Sequence, residues 1–437
     1  MNIPKRIASA VINSLKGGVV PRIGLPYITV GREKEINALL RDVDVISEGG
    51  ASFRFIVGKY GSGKSFLLQT IRSHVMDRNF VVVDADLSPE RRLQGNKGQG
   101  LATYKELIRN MSTKTRPDGG ALTLILDRWI SNVQSETAAE SAHGTDTPAF
   151  EKEVEKKIFE VVNSLSEMVH GFDFARLLTI YYRASVSGDD DSKAKVVKWF
   201  RGEYSTKTEA KNELSVNIII TDDDWYEYIK LFACFLKKAG YNGLLLLIDE
   251  LVNIYKIPNS ITRQYNYEKI LTMYNDTLQG KAHHLGIIMG GTPQCIEDNR
   301  RGVYSYEALR SRLADSRFDN DSLRDMMAPV IHLVPLTYEE MLVLIEKLAD
   351  IHSQLFGYKQ KITQAEMIAF IQSEFGRIGA DTHITPREVI RDFIGLLDIT
   401  FQNPDMLISD FIGKLVTEGA TSDDSNEIDE EFAEFEI

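Results

Sequence analysis

Cysteine is nearly missing from this 437-residue chain: Cys234 and Cys295 are its only two. Two thiols cannot build a disulfide framework or a cysteine-rich zinc site, and their scarcity points to a reducing, cytoplasmic setting. The eight histidines show no paired ligand spacing. His283 and His284 are adjacent and would diverge on any regular element, so they read as boundary residues and not as metal ligands. No apolar run approaches the roughly 18 residues that a membrane span needs. With 43% hydrophobic residues the composition instead suits a soluble protein with a sizeable core and no membrane contact. Lys5 and Arg6 are followed by an apolar stretch that is short and broken by Ser9, Asn13 and Ser14, which does not fit a signal peptide.

Positive charge is also scarce. The formal net charge of −12 argues at first against nucleic acid. Eight acidic residues and no basic one lie between Thr421 and Ile437, however, so the remainder is close to balanced and can still carry a local basic face. Residues 418–437 are expected to be a disordered acidic tail.

What is present is led by one stretch. Gly58-Lys59-Tyr60-Gly61-Ser62-Gly63-Lys64-Ser65 matches the phosphate-loop pattern G-x-x-x-x-G-K-[ST]. The run Phe53 to Val57 reads as a strand before it, and Phe66, Leu67 and Ile71 recur at helical spacing after it, which is the context such a loop requires. Glycines 58, 61 and 63 permit backbone angles that turn successive N–H groups inward, toward phosphate oxygens at a helix N-terminus. Lys64 would reach the β and γ phosphates of ATP, and the Ser65 hydroxyl would hold Mg²⁺.

Residues 1–29 read as an N-terminal arm, with Ile7, Val11, Ile12 and Leu15 on one helical side and a Gly/Pro-punctuated connector behind them. Val30-Gly31-Arg32-Glu33 then opens a helix with Ile36, Leu39, Leu40 and Val43 on one face. Phe80 to Val83 is a second short apolar run. A strand-helix-strand unit takes about 30 residues, yet the next strong buried-strand signal, Leu244 to Ile248, comes far later, so a mainly helical insertion over about 115–215 is expected between them. Its polar loops are placed at Ser135 to Thr147 and Ser185 to Ser192. Lys193, Lys195, Lys198 and Arg201 surround Trp199 and Phe200, which suits either a DNA or RNA contact or, more simply, a solvated helix face with aromatics in the core.

Leu244-Leu245-Leu246-Leu247-Ile248 ends in Asp249-Glu250. Unbroken apolar residues suit a strand covered on both faces in a parallel sheet, and ligands bind at the C-terminal ends of such strands. Asp249 would position Mg²⁺ and Glu250 would polarise the attacking water. A further strand, Leu285 to Gly291, ends at Thr292, where a polar side chain could sense the γ-phosphate. Arg310 and Arg312 follow on a helix; two residues apart, at most one can point into a given site. From Leu336 the pattern is helical throughout, with capping boxes at Thr337/Glu340 and Thr385/Glu388. Arg387 sits in a first turn where the helix dipole disfavours cations, so it is either solvated or balanced by an anion such as phosphate.

The order of these parts resembles the AAA+ ATPases, within the branch of origin-recognition and initiator ATPases. That resemblance implies an α/β P-loop core over residues 30–335 and a helical lid over 336–417. It implies Gly31 and Arg32 in a box beside the adenine, Thr292 as first sensor, Arg310 or Arg312 as a finger acting in a neighbouring subunit, and Arg387 as second sensor. The arm Ser14-Leu15-Lys16-Gly17-Gly18-Val19-Val20-Pro21, joined to Val30-Gly31-Arg32-Glu33 and the phosphate loop, resembles more narrowly the ATP-binding proteins of BREX-type phage-defence loci, BrxD-like members in particular. A bacterial defence setting is then implied, with a helicase or DNA methylation module as partner and a homo-oligomer on ATP binding. A C-terminal winged-helix domain is not expected, so any DNA contact would come from the insertion or a partner. A nucleotide-dependent switch with negligible turnover is the rival to a hydrolase, and a DNA-binding scaffold is a third reading.

Overall fold

The computed structural model describes residues 2–314, 324–376 and 385–405; the acidic stretch Thr421 to Ile437 lies outside them. The chain divides into two compact units, one of Lys34–Lys59 and Lys64–Leu333, the other of Met1–Glu33, Tyr60–Gly63 and Val334–Ile437. The first is mixed α/β.

Its five strands among the described residues, β1 (Ala51–Val57), β2 (Val81–Asp86), β3 (Leu244–Asp249), β4 (Leu285–Gly291) and β5 (Val330–His332), form one sheet in the order β2-β3-β4-β1-β5. Every pairing is parallel. Alternate residues point to opposite faces, and both faces are apolar. Ile56, Val82, Leu245, Leu247 and Ile288 pack under Leu39, Val43 and Ile46 of the helix Glu33–Ser47 and Leu67, Ile71 and Val75 of the helix Lys64–Asp77. Phe55, Val81, Val83, Leu246, Ile248 and Ile287 join the opposite core. Two-sided burial is why these strands read as continuous apolar runs. The face of the helix Glu33–Ser47 is rotated slightly from expectation: Ala38 and Ile46 are buried, while Ile36 and Leu40 are half-buried.

The adjacent strands β2 and β3 are joined by seven described helices, from Gln99–Arg109 to Trp225–Lys238. Trp129, Phe174, Trp199, Phe200, Trp225 and Phe235 are buried in one aromatic core there. The helical segment begins before residue 115 and runs past 215, because its first and last helices belong to the same core. Two expected loops are shorter than the polar composition suggested. The helix Leu122–Glu140 runs through Ser135 because Val133 and Thr137 continue its buried stripe. Only Gly188 and Asp189 separate the helices Gly171–Ser187 and Asp190–Phe200.

The second unit is helical among its described residues. The N-terminal helix Lys5–Lys16 buries Ala8, Val11 and Ile12 and packs against Tyr338–Phe356 and Pro386–Gln402. Lys16 Nζ lies 2.6 Å from Asp398 Oδ2. His352, fully buried, meets Asp398 Oδ1 at 3.1 Å and the Tyr358 hydroxyl at 2.9 Å. Burial holds the His352 imidazole below its ordinary range. Both expected capping boxes are formed, at Thr337/Glu340 and Thr385/Glu388. No helix among the described residues is long and apolar enough to cross a membrane.

Candidate functional site

The glycine-rich loop leaves the C-terminal end of β1, where the Gly58 N–H donates to Gly291 O at 3.1 Å, and it enters the helix Lys64–Asp77. Gly61 (φ +76°) and Gly63 (φ +93°) adopt left-handed backbone angles that a side chain would oppose. Lys64 Nζ donates to Gly58 O at 2.8 Å and Lys59 O at 3.0 Å. The Ser62 hydroxyl is buried and has no hydrogen-bond partner among the described residues. An unsatisfied hydroxyl in a polar loop is costly unless a ligand oxygen meets it.

Ser65, in the first turn of the following helix, donates from Oγ to Asp249 Oδ2 at 3.0 Å. Asp249 ends β3, and β4 lies between it and the strand that carries the loop. The reach depends on Gly290: a Cβ there would stand 2.3 Å from Asp249 Oδ1 and 3.0 Å from its Cγ. The missing side chain on β4 is the passage for the carboxylate. Asp249 Oδ1 also accepts the Glu250 N–H at 2.9 Å. Glu250 itself has φ +62°, a left-handed conformation that costs a non-glycine residue about 1–2 kcal/mol. Its exposed carboxylate makes no hydrogen bond or ion pair among the described residues.

Asp86 is a member of this group that the sequence did not expose. β2 runs to Asp86, three residues beyond the expected apolar run Phe80 to Val83, which brings Asp86 into register with Asp249. Burial, followed by repulsion from Asp249, Asp84 and Glu250, pushes its carboxyl up to about 6, against the pull of Arg91. Asp84 is occupied elsewhere, 3.4 Å from Arg72 Nε and also bonded by Asn110. Only the strand register reveals the grouping.

Thr292 lies just past β4 as N-cap of the short helix Pro293–Glu297. The Cys295 thiol accepts its N–H at 3.1 Å and donates to its carbonyl at 3.0 Å. Burial raises the thiol's pKa, and the charge of Lys64 is close enough to oppose that rise. Arg310 and Arg312 sit on Glu307–Leu313, both exposed. Arg312 Nη1 donates to Ala308 O of its own helix at 2.7 Å, whereas the Arg310 side chain makes no hydrogen bond or ion pair among the described residues. The two are not equivalent.

In the second unit, Arg32 is only 4% exposed and its Nη2 donates to Ser62 O and Val334 O, each at 2.8 Å. The guanidinium thus holds the backbone of the loop tip. Gly31 (φ +68°) packs against the Glu340 carboxylate, which a Cβ would approach to 2.3 Å. Arg387 Nη1 donates to the Tyr60 hydroxyl at 3.2 Å, and its guanidinium carbon lies 5.3 Å from the centre of that ring. Gly58, Lys59, Lys64 and Ser65 are grouped with the first unit and Tyr60 to Gly63 with the second.

The basic, aromatic stretch of the helical segment takes the simpler of its two readings. Trp199 and Phe200 are buried in the core. Lys193 pairs with Asp127 at 3.1 Å, Lys195 with Asp191, and Lys198 with Glu209 at 2.7 Å.

Among the described residues no group of three or more His, Cys, Asp or Glu could hold a metal ion. Ser65 and Asp249 supply two oxygens, which fits a cation that keeps most of its shell as water and phosphate, as Mg²⁺ does, and not one caged by protein. The family described as BREX system ATP-binding protein BrxC/D matches residues 3–415. No curated protein matches the chain.

Proposed function

Because the chain belongs to the BREX system ATP-binding protein BrxC/D family, we propose that this nucleotide-binding protein of a phage-defence system is an Mg²⁺-dependent AAA+ ATP hydrolase. Its cycle would remodel or gate a DNA-processing defence complex in the cytoplasm. The observation that carries the reading is the pairing of Ser65 with Asp249 over Gly290, which joins the phosphate loop to an acidic strand end across 184 residues of sequence.

The residues divide the work as follows. Gly61 and Gly63 turn the loop so that its N–H groups face one side, where phosphate oxygens are received. Lys64 exchanges the Gly58 and Lys59 carbonyls for phosphate, an anionic and therefore stronger acceptor. Ser65 and Asp249 hold Mg²⁺, which neutralises charge on the phosphates. Glu250, anchored by its N–H on Asp249, accepts a proton from water. Thr292 and Arg387 read the terminal phosphate, and Arg310 serves a neighbouring copy.

The test is steady-state hydrolysis of ATP by the full chain, with Mg²⁺ and then with chelator, beside nucleotide binding by calorimetry. Lys64→Ala should weaken binding of ATP roughly ten- to hundredfold, the loss of one charge-assisted contact. Nucleotide that binds with no Mg²⁺-dependent turnover, with or without DNA, would replace the hydrolase by a switch.

A further inference from the structure

Tyr60 occupies a variable position of the phosphate loop, yet it is a large aromatic side chain left 71% exposed. Burial does not explain it. Its contacts lie with the first turn of Pro386–Gln402, through the Arg387 hydrogen bond to the hydroxyl and the guanidinium placed over the ring. The carboxylate next to that arginine is committed elsewhere: Glu388 accepts from the Thr385 N–H at 2.9 Å and from its hydroxyl at 3.0 Å. A cation in the first turn of a helix faces the positive end of the dipole, and the ring quadrupole offsets part of that cost.

The neighbouring residues bring the helix start against the loop. A Cβ on Gly61 would stand 2.5 Å from both Cβ and Cγ2 of Thr385, so the loop tip and the helix cap are in van der Waals contact. Gly18 comes into ordinary contact with Arg387 Cδ, 3.7 Å from where its Cβ would be. Thr385 and Tyr60 thus flank one arginine, the first through the backbone it caps and the second through its side chain.

We propose that Tyr60 is a positioning residue that holds the Arg387 guanidinium at the tip of the phosphate loop, so that the site distinguishes a nucleoside triphosphate from a diphosphate. The assignment rests on the reading of the loop and of Arg387 given above. The phenol is a neutral acceptor and yields its hydrogen bond to a third phosphate, while the ring face continues to support the guanidinium after the exchange.

The experiment measures affinities of the full chain with Mg²⁺ for ADP and for a non-hydrolysable ATP analogue, and takes their ratio. Tyr60→Ala should lower the preference for the triphosphate roughly three- to tenfold, leave ADP affinity unchanged, and preserve the melting temperature. Tyr60→Phe, which keeps the ring, should restore most of the preference. Arg387→Ala should lose as much as Tyr60→Ala, and the double variant no more than either, since both remove one device. An unchanged or increased ratio in Tyr60→Ala, or losses that add in the double variant, overturns the proposal. Lys64→Ala separates the two levels. Weakened binding of both nucleotides supports the loop reading, so that a flat Tyr60 result counts against the positioning role alone. Unchanged binding of both nucleotides in Lys64→Ala refutes the loop itself, and the Tyr60 assignment with it.

Discussion

The Ser65 hydroxyl and the Asp249 carboxylate meet at 3.0 Å although an intervening strand separates the strands that carry them. Gly290 on that strand is the condition for it, since a methyl group there would lie 2.3 Å from Asp249 Oδ1. The contact depends on the sheet's strand order.

Gly290→Ala should therefore displace the carboxylate and cost about 1–3 kcal/mol as overpacking in a sheet buried on both faces. The melting temperature should fall, and the Mg²⁺ concentration for half-maximal hydrolysis should rise. Unchanged Mg²⁺ dependence would show that Asp249 reaches Ser65 by another path.

Glu250 combines a strained backbone with an exposed carboxylate, a pairing expected where function and not stability selects the residue. Glu250→Gln should bind ATP and fail to turn it over. Glu250→Gly should also abolish turnover, yet leave stability unchanged or raise it by up to about 1 kcal/mol as the left-handed strain is relieved. Wild-type turnover in Glu250→Gln would remove the proton-acceptor role.

Asp86 gives a pH signature. Its folded-state pKa of about 6 exceeds the ordinary 3.8, so the folded chain binds this proton more tightly than the unfolded chain does. For this group stability is greatest below pH about 4, declines as pH rises from about 4 to about 6, and stays reduced above that. Asp86→Asn should raise the urea midpoint at pH about 7 and lose that advantage at pH about 4. A gain of equal size at both would point to packing instead of charge.

Arg310 and Arg312 should separate in a hydrolysis assay. Arg310→Ala is expected to lower turnover at least about a thousandfold, as removal of a finger does, with the melting temperature unchanged because the side chain is exposed. Arg312→Ala should matter far less, its guanidinium being tied to its own helix. Specific activity should rise with protein concentration. A flat profile from a monomer excludes a finger in either residue.

Much of this was legible because its signals are short and local. The loop from Gly58 to Ser65 declares itself by glycine positions and one lysine; the strand Leu244–Asp249 by five consecutive apolar residues before an acid; the caps at Thr337 and Thr385 by residues three apart. Asp86 and Gly290 carry no such mark. Their meaning lies in what stands opposite them on a neighbouring strand, and register is set by packing of the whole sheet. The expected loops at Ser135 to Thr147 and Ser185 to Ser192 exist but are shorter than expected, for a related reason: polar residues on the outer face of a helix have the composition of a loop, and only burial of the other face tells them apart.

By itself, then, the sequence determined the glycine-rich turn between β1 and the helix after it, the buried strands β1 to β4, the helical segment between the second and third of them, and the helix starts, since each follows from backbone preference or periodicity within a few residues. Tertiary structure decided which distant groups meet. It placed Asp249 on Ser65 through the gap at Gly290, drew the N-terminal helix, expected as an arm, onto helices more than 300 residues later, and set Arg387 on Tyr60. These contacts join segments with no local signal of one another. Only burial of apolar faces and pairing of strands, settled over the whole chain, specifies them.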